Sequence, residues 1–172
     1  IQRTTAIYQI MKKLFFLAVA GMAFGACSEE KHPSYAPVFK GFELVSISNL
    51  NKPLTAISAG DSVRVTAQQS QVGDMLYEAA YTWKVDYKNG ITGNERTLGT
   101  QTVKIVYDAD KSDPFIRFRT PDTIGEINVT FTAEYQFSSA TYTEINGEAG
   151  GISVTSSSLM ARASGKKRYQ VK

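Results

Sequence analysis

The chain has 172 residues, 19 Lys and Arg against 16 Asp and Glu for a net charge of +3, and one each of Cys, His and Trp. That length suits one domain with short extensions, and a chain 42% hydrophobic and 20% charged is neither disordered, collagenous nor a multi-span membrane protein. One Cys forbids an internal disulfide or a multi-Cys zinc site, and one His excludes chemistry that needs several imidazoles.

The first element in chain order is an export signal. Lys12 and Lys13 follow Met11, and Leu14 to Phe24 is then apolar or small, leading to Gly25, Ala26 and Cys27. About eleven residues cannot cross a hydrocarbon core, which needs roughly 20 in a helix. A basic start, a short apolar run and small residues before a cut describe a secretory leader. Translation is expected to begin at Met11, with Ile1–Ile10 upstream of it. Phe24-Gly25-Ala26-Cys27 resembles the lipobox of bacterial lipoproteins. The resemblance implies removal of residues 1–26, acylation of Cys27 (a palmitate-type anchor) and a protein held on a membrane without spanning it. Each buried CH₂ contributes about 0.8 kcal/mol, so two or more acyl chains suffice for stable anchoring. Ser28 after the Cys, and Glu29-Glu30 beyond it, are similar to the sorting signals of outer-membrane, outward-facing lipoproteins. The periplasmic face is the alternative, and a solvated acidic tether the plainer reading of the same residues.

Residues 27–41, with Pro33, Pro37 and the single His32, read as a flexible spacer. From Phe42 onward the apolar pattern has period two, the mark of half-buried strands. It runs through Phe42–Ile47, Ser62–Gln69, Tyr81–Tyr87, Thr102–Tyr107, Phe115–Arg119, Ile127–Phe137 and Ile152–Thr155, with turn residues between these segments. Only Val72–Ala80 leaves room for a helical turn. About seven strands, each with one apolar face, predict an all-β antiparallel sandwich over residues 42–158. Residues 159–172, rich in Lys and Arg, read as a disordered basic tail.

Three motifs resemble PKD-type and related bacterial immunoglobulin-like modules: Ile57–Ala67 as a second strand, Tyr81-Thr82-Trp83-Lys84-Val85 as a third, and Pro121–Val129 as the corner before a sixth. The resemblance implies an immunoglobulin-like sandwich with Trp83 at its centre. The chain departs from the pattern at Asp86-Tyr87-Lys88-Asn89-Gly90, where a Gly-Asp-Gly turn is usual, and at Ile127, which replaces a corner tyrosine.

Catalytic constellations are poorly represented: no Gly-x-Ser-x-Gly elbow, no phosphate-binding Gly loop, and no His in the strand-forming region. A non-enzymatic protein is expected, with a small acid-dependent hydrolase as the enzymatic alternative. Asp108, Asp110 and Asp113 place three carboxylates in one loop, a calcium candidate weighed against a solvated acidic turn. Tyr77 and Tyr142 fall near loops, where a ring could stack on a sugar. Asp61-Ser62-Val63 and Asp122-Thr123-Ile124 resemble an O-glycosylation triplet of exported bacterial proteins. The expected role is recognition, adhesion or scaffolding at the cell envelope, with an outer-membrane protein or polysaccharide as partner and no nucleic acid. A carbohydrate-binding accessory of an outer-membrane nutrient-uptake system is the alternative.

Overall fold

The computed structural model describes residues 35–49, 52–73, 76–106, 112–137, 147–157 and 159–172. All of them fall in one unit, His32–Lys172. Among the described residues there are ten strands: β1 (Val38–Ser46), β2 (Lys52–Pro53), β3 (Ser62–Gln71), β4 (Leu76–Asn89), β5 (Glu95–Val106), β6 (Phe115–Arg119), β7 (Gly125–Phe137), β8 (Gly147–Ala149), β9 (Ile152–Ser157) and β10 (Met160–Val171). They form two antiparallel sheets, β2-β1-β3-β6 and β5-β4-β7-β10-β9-β8.

Period-two alternation decides which face each strand buries. β7 buries Ile127, Val129, Phe131, Ala133, Tyr135 and Phe137, and β4 buries Ala79, Tyr81, Trp83, Val85 and Tyr87. β3 answers from the smaller sheet with Val63, Val65 and Ala67, and β6 with Ile116 and Phe118. Seven strands make up the order β1-β3-β6 facing β5-β4-β7-β10, the arrangement of an immunoglobulin-like sandwich. Trp83 is 1% exposed, which places it in the core as the alternation requires.

Several expectations need correction. The strand count is ten, because β2 extends the smaller sheet and β9 and β8 extend the larger one. The domain starts before residue 42: Ala36 and Phe39 are buried, and Val38 already pairs with Gln71. Part of the supposed tether is therefore sheet. Val72–Ala80 holds no helical turn among its described residues, since β4 begins at Leu76. The strand expected to begin at Thr102 is β5, and it begins at Glu95.

The largest correction concerns residues 159–172. They are not a disordered tail: Met160–Val171 is β10, paired along its length with β7 and over Met160–Gly165 with β9. Its far end is closed by the segment at Ile57, which bridges Val171 and exchanges backbone hydrogen bonds with Gln170 and Lys172. The inward positions are occupied by Ala161, Ala163 and Gly165 before Tyr169 and Val171, so the strand carries little hydrophobic amplitude. Small residues are needed there because a Cβ on Gly165 would stand 2.8 Å from Ile152 Cγ1 and 3.0 Å from Phe42 Cζ.

Tyr169 brings an exposed consequence of that packing. Its hydroxyl is buried and has no hydrogen-bond partner among the described residues, and burial pushes its pKa from 10.0 up to about 12. The native state then keeps a proton that the unfolded chain releases above pH 10. Stability from this source is full below pH 10 and is lost as pH rises toward 12. Tyr169→Phe is expected to remove that part of the alkaline slope and, by deleting an unpartnered buried hydroxyl, to match or exceed the parent by up to about 1 kcal/mol at neutral pH. Urea denaturation of both proteins at neutral and alkaline pH checks this; a Phe variant with an unchanged slope contradicts it.

Candidate recognition site

The two sheets do not close equally on their two sides. Beyond β10 the larger sheet continues into β9 and β8, whereas on the other side β5 is the last strand of its sheet and β6 the last of its own. Between β5 and β6 lies a slot of about 200 Å³. Tyr81 and Trp83 of β4, Val103 and Ile105 of β5, and Phe115 of β6 give it apolar walls, and Gln101, Ser112 and Asp113 add polar groups. A concave, mostly apolar pocket with a few convergent polar groups is the usual form of a binding site.

Alternation explains how this slot arises. Two inward residues of β4, Tyr81 and Trp83, are large and buried aromatics that form the floor, and the facing edge of the smaller sheet is a strand of only five residues, so the space above them between β5 and β6 stays open. Val103 and Phe115 remain 37% and 41% exposed at the rim.

Phe115 also belongs to a cationic cluster on the outer face of the smaller sheet. Arg64 and Arg117 stand directly opposite one another in the β3–β6 register. Their guanidinium carbons lie 5.9 and 5.1 Å from the Phe115 ring centroid, within cation–π range. Like charges directly opposite across strands are destabilising. Neither Arg has an ion pair among the described residues, and Arg64 Nε is buried with no acceptor. Arg119, next on the same face, meets Asp122 at 3.7 Å, with both side chains largely exposed.

The residues singled out from sequence separate into three groups. Asp113 borders the slot, but its Oδ1 accepts the Gln69 backbone N–H at 2.9 Å, fastening the start of β6 to the end of β3. Asp108 and Asp110 lie outside the described residues, and no cluster of three metal-ligating side chains occurs among the described ones. Tyr77 is 64% exposed and sits within β4, not in a loop: it is the extra residue of a bulge between the Leu76–Phe137 and Glu78–Gln136 pairs. Tyr142, His32 and Cys27 lie outside the described residues.

Asp86 and Tyr87 carry roles that local sequence did not reveal. Burial alone would raise the Asp86 pKa, but hydrogen bonds from Lys84 and Thr97, with the positive charges of Lys84 and Lys166, hold it below 3.8. The Tyr87 hydroxyl reaches the connection between β6 and β7, donating toward the carbonyls of Thr123 and Ile124 at 3.1 and 2.9 Å and meeting Thr123 Oγ1 at 2.8 Å. It thus anchors the corner that Ile127 cannot. Gly125 is required beside it, because a Cβ there would come within 2.5 Å of Tyr87 Cε2. The Thr123 hydroxyl of the glycosylation-like triplet is the partner of this tyrosine.

Comparison with protein-family models, with curated proteins and with solved structures returned no match to this chain. The class rests on the chain's own geometry: an immunoglobulin-like sandwich with one open side.

Tyr87→Phe keeps the ring and removes the hydroxyl from three oxygens, so it is expected to cost about 1–2 kcal/mol. Urea denaturation checks the loss, and a variant as stable as the parent contradicts the anchoring role.

Proposed function

We propose that this chain is a lipid-anchored, non-catalytic recognition module of a bacterial cell envelope, held through Cys27 on the outer membrane and facing outward. The observation that carries recognition is the slot between β5 and β6, where core aromatics meet an open rim. The lipobox-like Phe24-Gly25-Ala26-Cys27 supports the anchor, and the polar residues after Cys27 support outer-membrane sorting. A sandwich tethered by lipid works at a surface, where it can act as an adhesion or scaffolding element for an outer-membrane protein or polysaccharide.

Cells expressing the full chain, fed a clickable palmitate analogue, test the anchor. Label is expected on the parent and absent from Cys27→Ser, and the variant is expected to leave the membrane fraction. Protease added to intact cells should degrade the parent; protection until lysis places it on the periplasmic face, and unlabelled parent rejects the anchor altogether.

A second reading is favoured by one residue. Tyr77 is projected by its bulge to 64% exposure, as an aromatic platform for a sugar ring would be. An accessory protein for carbohydrate uptake would bind oligosaccharides on a glycan array and lose at least about tenfold in affinity with Tyr77→Ala, a loss within the usual worth of one buried aromatic contact. Equal binding by both proteins contradicts a platform at Tyr77.

A further inference from the structure

The open side of the sandwich combines three features. β5 is a twelve-residue edge strand whose free side is paired with no described strand. Its stretch Thr97–Val103 has no charged residue and is exposed or half-buried throughout, and a Cβ added at Gly99 would meet nothing within 4 Å. Natural sheets usually guard such edges with charges, proline, short strands or a covering element. Within Thr97–Val103 the device present among the described residues is a bulge at Leu98, between the Asp86–Thr97 and Val85–Gly99 pairs, and the strand's charges, Glu95, Arg96 and Lys104, stand on either side of that stretch.

Directly inside that edge lies the slot. Gln101, Val103 and Ile105, the inward residues of β5, form one wall and Phe115 another. A strand added beside β5 would project alternate side chains toward the same layer. One such side chain would enter between Val103 and Phe115 and cover both exposed rims. The third feature is charge: Phe115 borders the slot, and on the outer face its ring is met by Arg117 and Arg64, with no acid paired to either among the described residues. Glu43 lies on the same outer face but pairs with Thr66, beyond Arg64, and makes no ion pair with it.

We infer that β5 is a strand-acceptor edge: an extended segment of a partner protein adds to it in β-augmentation, inserting an apolar side chain into the slot and a carboxylate toward Arg117 and Arg64. Main-chain hydrogen bonds give the affinity, and the slot and guanidinium pair give the selectivity. The cation–π contacts hold both forks in place before the acid arrives, which lowers the ordering cost of binding. A flat platform for sugars would use the outward faces of the sheets, not a backbone edge. This inference rests on the recognition role proposed above and names the class of partner.

The probe is a capped synthetic peptide of alternating Val and Thr with a central Phe and a Glu two residues beyond it, titrated by fluorescence anisotropy into the full chain in detergent. Saturable binding is expected. Arg117→Glu should weaken it about tenfold or more, and the same peptide with Lys in place of Glu should recover most of that loss on the variant. Val103→Lys, at an exposed edge position, should abolish binding while leaving the urea midpoint within error. N-methylation of the peptide's backbone on the amides facing β5 should abolish binding, and on the alternate amides should leave it intact.

Equal effects of the two methylation patterns, or binding indifferent to both Val103→Lys and Arg117→Glu, overturn the inference. So does self-association of the chain that Val103→Lys removes, which would assign the edge to a second copy. Failure of the peptide together with glycan binding overturns strand addition while leaving a recognition role standing.

Discussion

Phe131 is the side chain on which the core is assembled. It lies on β7 directly opposite Trp83 of β4, with ring centroids 4.5 Å apart, and it also meets Tyr81, Phe39 and Phe42 at 6.2, 5.6 and 6.3 Å. Four aromatic neighbours from two sheets therefore share one ring. Edge-to-face and offset contacts of this kind add about 0.5–1.5 kcal/mol per pair beyond area burial. Phe39 and Phe42 come from β1, so the same cluster joins the smaller sheet to the larger. Trp83 is the conspicuous residue in the sequence, but it is Phe131 that touches both layers most widely.

The position of that cluster has a cost at the edge. Trp83 and Tyr81 face the core through Phe131 and also line the slot under β5. Both rings are buried and form the floor of the slot, and its exposed rim is made by Val103 and Phe115. Stability and the proposed recognition would thus share side chains, and a truncation at Trp83 would report on both at once, whereas Val103 lies at the rim and Arg117 on the outer face. On the opposite side β10 is covered by β9 and by the segment at Ile57, and its inward residues are small enough for close approach. There Gly41 and Gly150 pack backbone to backbone: a Cβ on Gly41, whose φ is +131°, would stand 2.8 Å from Gly150 Cα. One side of the sandwich is sealed by small residues, and the other is left open by large ones.

What was legible in the sequence follows from amplitude. β7 and β4 alternate large apolar with polar residues over many positions, and their place at the centre of a sheet follows from that alone. β10 alternates too, but Ala161, Ala163 and Gly165 are weak markers and Lys166-Lys167-Arg168 masks the period, so a central strand looked like a solvated end. The first half of β5 is hidden for a different reason: Glu95–Thr100 is exposed or half-buried throughout, so neither of its faces must be apolar. Non-local pairings were beyond reach. Nothing near Arg64 signals that Arg117 will stand opposite it, and nothing near Tyr87 signals Thr123, 36 residues away. The Asp108, Asp110 and Asp113 loop was conspicuous because its acids are neighbours in sequence, yet the one described among them is used to hold β6 against β3.

The distribution of charge separates structural cations from available ones. On the outer face of the larger sheet, Lys84, Lys88, Lys104, Arg162 and Arg168 each meet an acid within 3.5 Å, on the same or a neighbouring strand. The basic residues once assigned to a tail are therefore partly spent within the sheet, Arg162 on Glu134 and Arg168 on Glu126. Exposed pairs of this kind contribute little each, about 0–1 kcal/mol, but they neutralise the face and leave it without a strong field. On the smaller sheet the arrangement is reversed. Arg64 and Arg117 are set opposite each other, both within cation–π range of the Phe115 ring, and neither meets an acid among the described residues. An anion placed between the two forks would turn like-charge repulsion into attraction without displacing an acid from either Arg among the described residues.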